Sequence, residues 1–359
     1  MSGKFKEFHD ELRSVASDLL AKDAAVDWPL LAEAGWTGLE APENLGGAGA
    51  GFGEVAVVLQ EMGRAATRSA YIGGTVLSVG TLIALQPSAT RDALLSDVAT
   101  GAVRTAVALS RDGQDVDASA PFCIEPSSAG LRITGRSEFV PDADGADRLL
   151  LLANAADVAA VVVVATAQAS GLSVTPQPVV DETRRLSVVV ADGVMVDESS
   201  VWRFDGDPGT RVRRLLDRAA VAVACDSIGL AEAMLSATVS YAAVRHQFGR
   251  PIGSFQAVKH ACADMLVRIS VARQLVSAAV EAIADDRTDA ATAASMAKSY
   301  ATAAAVDVVG KAMQLHGGIG YTWESGIHVY LKRAALNRSL FGSPAAHRKQ
   351  LAQRYSQGT

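Results

Sequence analysis

"RVRRLLDRAAVAVACDSIGLAEAMLSATVSYAAVRHQFG", residues 211–249, carries almost no helix breaker apart from Gly229. Alanine and leucine, which dominate it, have the highest intrinsic helix propensities, so the stretch predicts one long helix. Two more such runs follow. "AVKHACADMLVRISVARQLVSAAVEAIADD" (257–286) contains no breaker, and "DAATAASMAKSYATAAAVDVVGKAMQLHGG" (289–318) ends in a pair of glycines. Three or four alanine-rich helices of this length pack closely and argue for a four-helix bundle over residues 206–359. Helices this long also point to a core shared with other subunits.

Upstream of the bundle the periodicity changes. "VRTAVALS", "LRITGRSEFV", "DRLLLLA", "VAAVVVVAT", "GLSVTPQPVVD" and "RRLSVVVADGVMVD", between residues 103 and 197, are short β-branched runs punctuated by Gly, Pro, Asp and Asn. They predict a central antiparallel β domain over 103–205. The alternating helix and strand order of a doubly wound nucleotide-binding sheet is missing. Residues 1–102 read as a helical N-terminal domain. In "FKEFHDELRSVASDLLAK", Phe5, Phe8, Leu12, Val15 and Leu19 fall on one helical face. A second helix opens near Phe52, after a glycine-rich stretch, Gly46 to Gly53, that lacks the P-loop pattern and reads as a loop. The fold class is therefore α+β.

Composition removes several function classes. At 359 residues the chain can bury a substantial core in two or three domains, and 49% hydrophobic with 20% charged residues suits a globular protein. A formal charge of -6 gives no reason to expect nucleic acid. Cys123, Cys225 and Cys262 show no C-x-x-C spacing, so neither a disulfide framework nor a metal site is indicated. A reduced, cytoplasmic setting follows by default. The apolar run near Val161 is too short to span a bilayer, and the N-terminus lacks the apolar core of a signal peptide, so no membrane association is expected.

The stretch "QLHGGIGYTWESG", residues 314–326, raises a separate question. Each glycine costs about 1 kcal/mol of helix relative to alanine. Gly317, Gly318 and Gly320 are therefore either a helix cap and turn or a backbone that something large must approach.

The domain order resembles that of the acyl-CoA dehydrogenases, and separate motifs carry the likeness. "AGWTGLEAPENLGGAG" with "EVAVVLQEMGRA" looks like that family's N-terminal signature. "YAAVRHQFGRPIGSFQAVKHACADM" resembles its Arg, Phe-Gly and Gln motif, and "QLHGGIGYTWESGIHVYLKRA" its Gln-x-x-Gly-Gly-x-Gly motif. The resemblance covers essentially the whole chain. It implies FAD as cofactor, an acyl-CoA thioester as substrate, α,β-dehydrogenation as the reaction, and an electron-transfer flavoprotein as electron acceptor. It further implies that these motifs reach across a dimer interface to the FAD held mainly by a neighbour. Arg245 would face the pyrophosphate, Phe248 would pack near the adenine end, and Gln256 would hydrogen-bond to the cofactor. Gln314, Gly317 and Gly318 would lie along the adenosine portion, with Gly320 allowing the turn. A guanidinium suits a diphosphate because it is a planar, permanently charged donor.

Two departures qualify that expectation. In the family the base is usually a Glu in a Tyr-Glu-Gly-Thr-like segment, whereas "NRSLFGSPAAHRKQ" has Phe341 at the Glu position, with Gly342, Ser343 and Pro344 after it. Some members carry the base near the start of the first bundle helix, where the family spacing lands on Ala219 and the nearest acid is Asp217. Asp217 is either the base or an acid interacting with the helix dipole, in which case a partner supplies the base. In the β domain, "AVALSRDGQDVDASAPFCIEP" and "GRSEFVPDADGADRLLLLA" retain Ser110 and Ser137 but not the family's flavin-contacting motifs. The chain thus keeps the half-site that reaches into a neighbour and has lost much of the half-site that would hold its own FAD. This pattern resembles the short subunits of actinobacterial steroid side-chain-type enzymes, built from two unlike subunits in a four-chain assembly. A homo-oligomer and a non-catalytic assembly subunit are the alternatives.

Overall fold

The computed structural model describes residues 8–22, 25–112, 119–128, 130–155 and 161–357. The N-terminal region holds α1 (His9–Leu20), α2 (Trp28–Glu33), α3 (Phe52–Arg64), α4 (Ser78–Ile83) and α5 (Ala89–Ala99), with a π-helical stretch, Ile72–Leu77, leading into α4. The Gly46 to Gly51 stretch is a loop and α3 opens at Phe52, as its sequence suggests. The face of α1 is rotated from the expected one. Ala16 and Leu20 are buried, Leu12 and Leu19 pack partly against them, and Phe8 and Val15 are exposed. Phe5 lies outside the described residues.

Among the described residues the β domain forms one eight-stranded sheet: β1 (Thr105–Ala108), β2 (Phe122–Ser127), β3 (Gly130–Pro141), β4 (Arg148–Asn154), β5 (Val161–Thr166), β6 (Leu172–Gln177), β7 (Leu186–Val196) and β8 (Val201–Trp202). Its order is β6-β7-β3-β2-β4-β5-β8, with β1 also on β4. Pairing is antiparallel except that β1 and β2 both run parallel to β4, so the expected antiparallel domain is of mixed type along that strand. β4 is buried on both faces, which explains its unbroken leucine run. Leu149 and Leu151 enter the core of the β domain, while Leu150 and Leu152 face the helices.

The third region comprises α6 (Pro208–Val244), a hairpin of β9 (His246–Gln247) and β10 (Arg250–Pro251), then α7 (Gln256–Ala284), α8 (Ala290–His316), α9 (Ile327–Ser339) and α10 (Pro344–Gln357). Helix α6 starts where Asp207 accepts a hydrogen bond from the Thr210 N–H at 2.7 Å and Pro208 fills the first helical position. By length and composition α6 could cross a membrane, but its central residues, Ala219 to Cys225, are fully buried against protein. It crosses α3 with the two backbones nearly touching. A Cβ on Gly229 would fall 1.9 Å from the Gln60 carbonyl oxygen, and one on Gly63 would fall 2.0 Å from that of Asp226.

Two buried acids tie the three regions together. Asp226 on α6 is fully buried, pairs with Arg333 of α9 and with Arg184 at 3.0 Å, and accepts from Asn337 at 2.6 Å. Asp142, after β3, accepts from the Gly73 N–H at 2.8 Å. Burial raises the Asp142 pKa from 3.8 to about 6, against the pull of that N–H and of Arg184, Arg104 and Arg185. Because the folded pKa lies above the unfolded one, the stability this group contributes is full below about pH 4 and is lost as pH rises through about 6. Asp142→Asn keeps an acceptor for Gly73 and removes the charge. It should raise stability at pH 8 by about 1–3 kcal/mol and flatten the profile between pH 4 and 6 in urea unfolding. A variant no more stable than wild type at pH 8 would show that the nearby arginines already compensate the carboxylate.

Candidate functional site

The residues expected to meet a cofactor gather at one corner of the bundle. Arg245 ends α6, with its N–H on the Tyr241 carbonyl at 2.9 Å and its own carbonyl accepting from the Ile252 N–H at 2.7 Å. That closes the base of the β9–β10 hairpin, whose turn residues Phe248 and Gly249 both have left-handed φ, 52° and 78°. The turn holds the Phe248 ring 91% exposed, edge-on to Phe255 with centroids 6.1 Å apart. Gln256 is exposed at the first position of α7. The Arg245 guanidinium is exposed and makes no ion pair or hydrogen bond among the described residues. The stacked rings of Tyr241 and His316, 4.6 Å apart and 20° from parallel, bring the end of α8 to this corner. Gln314 is exposed there, accepting from Lys311 at 3.0 Å.

The three glycines of the 314–326 stretch have three different reasons. Gly317 ends α8 at φ 63°, ψ −142°, a conformation that is essentially glycine's alone. Gly320 is buried, and a Cβ there would lie 2.5 Å from the Met313 carbonyl oxygen, so it is needed for the turn itself. Gly318 meets neither condition. Its φ is not left-handed and a Cβ would find nothing within 4 Å. Nothing in its own chain calls for glycine there, and the open space suits a group approaching from outside.

The groups that would serve this chain's own cofactor are engaged elsewhere. Ser137 Oγ donates to the Ser110 carbonyl at 2.5 Å, and both serines are buried. Residues 113–118 of the first β-domain segment lie outside the described residues. Ser343 Oγ caps α10, accepting from the Ala346 N–H at 3.2 Å. Phe341, at the position of the usual base, is packed in the core with Leu340. Sequence reasoning missed what holds this turn. The Lys298 Nζ donates to the carbonyls of Gly342 at 2.6 Å and Arg338 at 3.2 Å, and His347 Nε2 donates to that of Phe341 at 2.9 Å. Burial lowers the pKa of Lys298 to about 7 and of His347 to about 4, so at neutral pH His347 is a neutral structural donor. Isolated polar residues in helical runs gave no signal of this arrangement.

Asp217 sits at the opposite end of α6 from Arg245, about 40 Å away at the helical rise per residue. Burial raises its pKa from 3.8 to about 6, against the pull of Arg354, Arg213 and Arg214. Arg218, next to it, turns the other way, bonding Val76 at 2.8 Å and Glu40 at 3.0 Å. Ala219 is fully buried. The proton-accepting candidate and the cofactor-facing corner are therefore two separate places on this chain.

Residues 5–102 match the family model of the acyl-CoA dehydrogenase N-terminal domain, and residues 209–356 match that of the acyl-CoA dehydrogenase C-terminal domain. The chain belongs to the acyl-CoA dehydrogenase family. It is 34% identical over 333 residues to the acyl-CoA dehydrogenase IpdE2 of Mycobacterium tuberculosis, covering 90% of this chain and 86% of that one. Among solved structures, a variant of the Tcur3481-Tcur3483 steroid ACAD superposes with a TM-score of 0.87 at 30% identity, covering 99% of each chain. The ChsE4-ChsE5 complex from Mycobacterium tuberculosis shares the fold, with a TM-score of 0.88 at 22% identity over 99% of each chain. The acyl-CoA dehydrogenase assignment rests on both helical regions, and the corner described above lies within the second.

Proposed function

We propose that this chain is one subunit of an FAD-dependent acyl-CoA dehydrogenase assembled with an unlike partner, in which its Arg245 corner completes an FAD site held mainly by the partner. The carrying observation is the asymmetry between the two half-sites. The outward one has a guanidinium with no partner among the described residues and an open Gly318, while in the inward one the Ser137 hydroxyl is bonded to the Ser110 carbonyl and a phenylalanine stands where a base belongs. FAD fits the first set by charge and by space, and does not fit the second. When bound, the flavin supplies the two-electron acceptor for α,β-dehydrogenation of an acyl-CoA thioester, and an electron-transfer flavoprotein is the expected recipient of the electrons.

This chain's own contributions follow from its residues. Arg245 neutralises and orients a diphosphate, Gln256 and Gln314 offer hydrogen bonds beside it, and Phe248 with the Gly317–Gly318 backbone covers the adenosine. Proton removal from the α carbon at that site falls to the partner, because Asp217, with its raised pKa, stands about 40 Å from Arg245 along α6 and could act only at a second site. A steroid-derived acyl group is the substrate class to try first, given the 30% identity to a steroid ACAD.

The reading is tested by flavin content and subunit mass of this chain expressed alone and together with the acyl-CoA dehydrogenase chain encoded beside it. The expected result is a colourless preparation alone and a yellow complex with one FAD per pair of unlike chains. In that complex, Arg245→Ala should weaken FAD by about 10- to 100-fold, the usual worth of a charge-assisted pair. Full flavin occupancy in the variant, or one FAD per chain in a homo-oligomer, would overturn the shared-site reading. Unchanged turnover of Asp217→Asn would assign the base to the partner.

A further inference from the structure

The two cofactor-facing segments of this chain come from elements distant in sequence, and the spacing between them needs a physical cause. Arg245 and the β9–β10 hairpin follow α6, whereas Gly317 and Gly318 follow α8. Between the ends of these helices stands the ring stack of Tyr241 and His316. Tyr241 lies one turn before Arg245, and its carbonyl receives the Arg245 N–H at 2.9 Å. His316 is the residue immediately before Gly317. Its Nδ1 lies 2.8 Å from the Ala312 carbonyl, which can only accept, so Nδ1 carries the proton and the ring is locked to its own helix. His316 is 8% exposed, so its ring is enclosed. The His316 ring is thus held to α8, the Tyr241 ring stands on the last turn of α6, and their stack joins the two helix ends beside the cofactor-facing segments.

We propose that Tyr241 and His316 are positioning residues, a strut that sets the distance between the Arg245 hairpin and the Gly317–Gly318 backbone so that one dinucleotide can touch both. The proposal rests on the shared-site reading above. A strut acts as a unit: losing either ring releases the spacing, and losing the second ring afterwards changes nothing more. A pair of independent contacts would instead lose affinity twice.

The experiment uses the yellow complex of full-length chains, stripped of flavin and titrated with FAD, following the flavin absorbance band. Tyr241→Phe preserves the ring and should bind within about twofold of wild type. Tyr241→Leu and His316→Leu should each weaken FAD about tenfold, in line with the worth of an aromatic pair, and the double variant should be no weaker than either single. A hundredfold loss in the double variant, or no loss in the singles, would overturn the strut. Arg245→Ala in the same series separates the two ideas. If it leaves FAD affinity intact, the shared-site reading has failed; if it weakens FAD while the ring variants do not, only the strut has failed. Should a leucine variant fail to assemble, His316→Phe keeps a ring for the stack and loses the lock to Ala312; it is expected to assemble and to bind FAD more weakly than wild type by less than about tenfold. A loss of about tenfold or more in that variant would mean that stacking contributes nothing.

Discussion

Asp226→Ala is expected to lower folding stability by about 3–5 kcal/mol, the usual cost of breaking one side of a buried ion pair. Asp226 is fully buried and faces two guanidiniums, Arg333 and Arg184, together with the Asn337 amide. Burial works to raise its pKa, and the two arginines with the hydrogen bonds from Arg333 and Asn337 outweigh that, holding it at about 2. The carboxylate is therefore ionised at any ordinary pH, and its contribution is present above about pH 4 and lost only as pH falls through about 2. Its removal leaves Arg333, itself fully buried, with the Thr67 carbonyl at 2.7 Å and the Thr183 hydroxyl at 3.2 Å as uncharged partners. Urea unfolding of the single variant and of Asp226→Ala with Arg333→Met measures the argument directly. The double variant should regain part of the loss, because one of the two stranded charges is gone while Arg184 remains. A single-variant loss below about 1 kcal/mol would mean that water or rearrangement satisfies the arginines, and that the junction of α6 with α9 does not depend on this acid.

The bundle was legible in the sequence because its signal is local. Helices α6, α7 and α8 appear where alanine-rich runs without breakers place them, since propensity and apolar patterning agree there. The sheet was legible only in part. Strand β2 was missed, because in "FCIEPS" only Phe122 and Ile124 are buried and a proline follows, and its parallel pairing with β4 is a matter of tertiary register. The site divides in the same way. Arg245, Phe248 and Gln256 share one short segment, and its likeness to the family motif is what marked them; the exposure of the Phe248 ring and of the Arg245 guanidinium appears only in the structure. The bond between Ser110 and Ser137 joins residues on different segments of the sheet domain, and no spacing rule announces it. Lys298 reads as an ordinary helical lysine until the carbonyls it holds are seen.

Gly229→Ala is expected to destabilise the chain by about 3 kcal/mol or more, although helix propensity alone argues for a gain of about 1 kcal/mol. The atoms a new methyl would strike are backbone, the Gln60 carbonyl oxygen at 1.9 Å and the Arg64 nitrogen at 2.6 Å, and neither can rotate aside. The two helices would have to separate, which opens voids around the buried alanines of α6. Gly63→Ala, whose methyl would meet the Asp226 carbonyl at 2.0 Å, tests the same crossing from the other side. Gly310 provides the control. It lies in α8 with no atom within 4 Å of where a methyl would stand, so Gly310→Ala should gain about 1 kcal/mol from helix propensity. A stabilised Gly229→Ala would show that the crossing relaxes freely. The crossing also bears on function, because α6 carries Asp217 towards one end and Arg245 at the other. Arg245 is about 24 Å along the helix from Gly229, so a tilt of about 5° at the crossing moves that corner by about 2 Å. A shift of that size exceeds the tolerance of a charge-assisted hydrogen bond. Flavin affinity of the assembled complex should therefore fall in Gly229→Ala along with stability, while Gly310→Ala leaves both intact or improved.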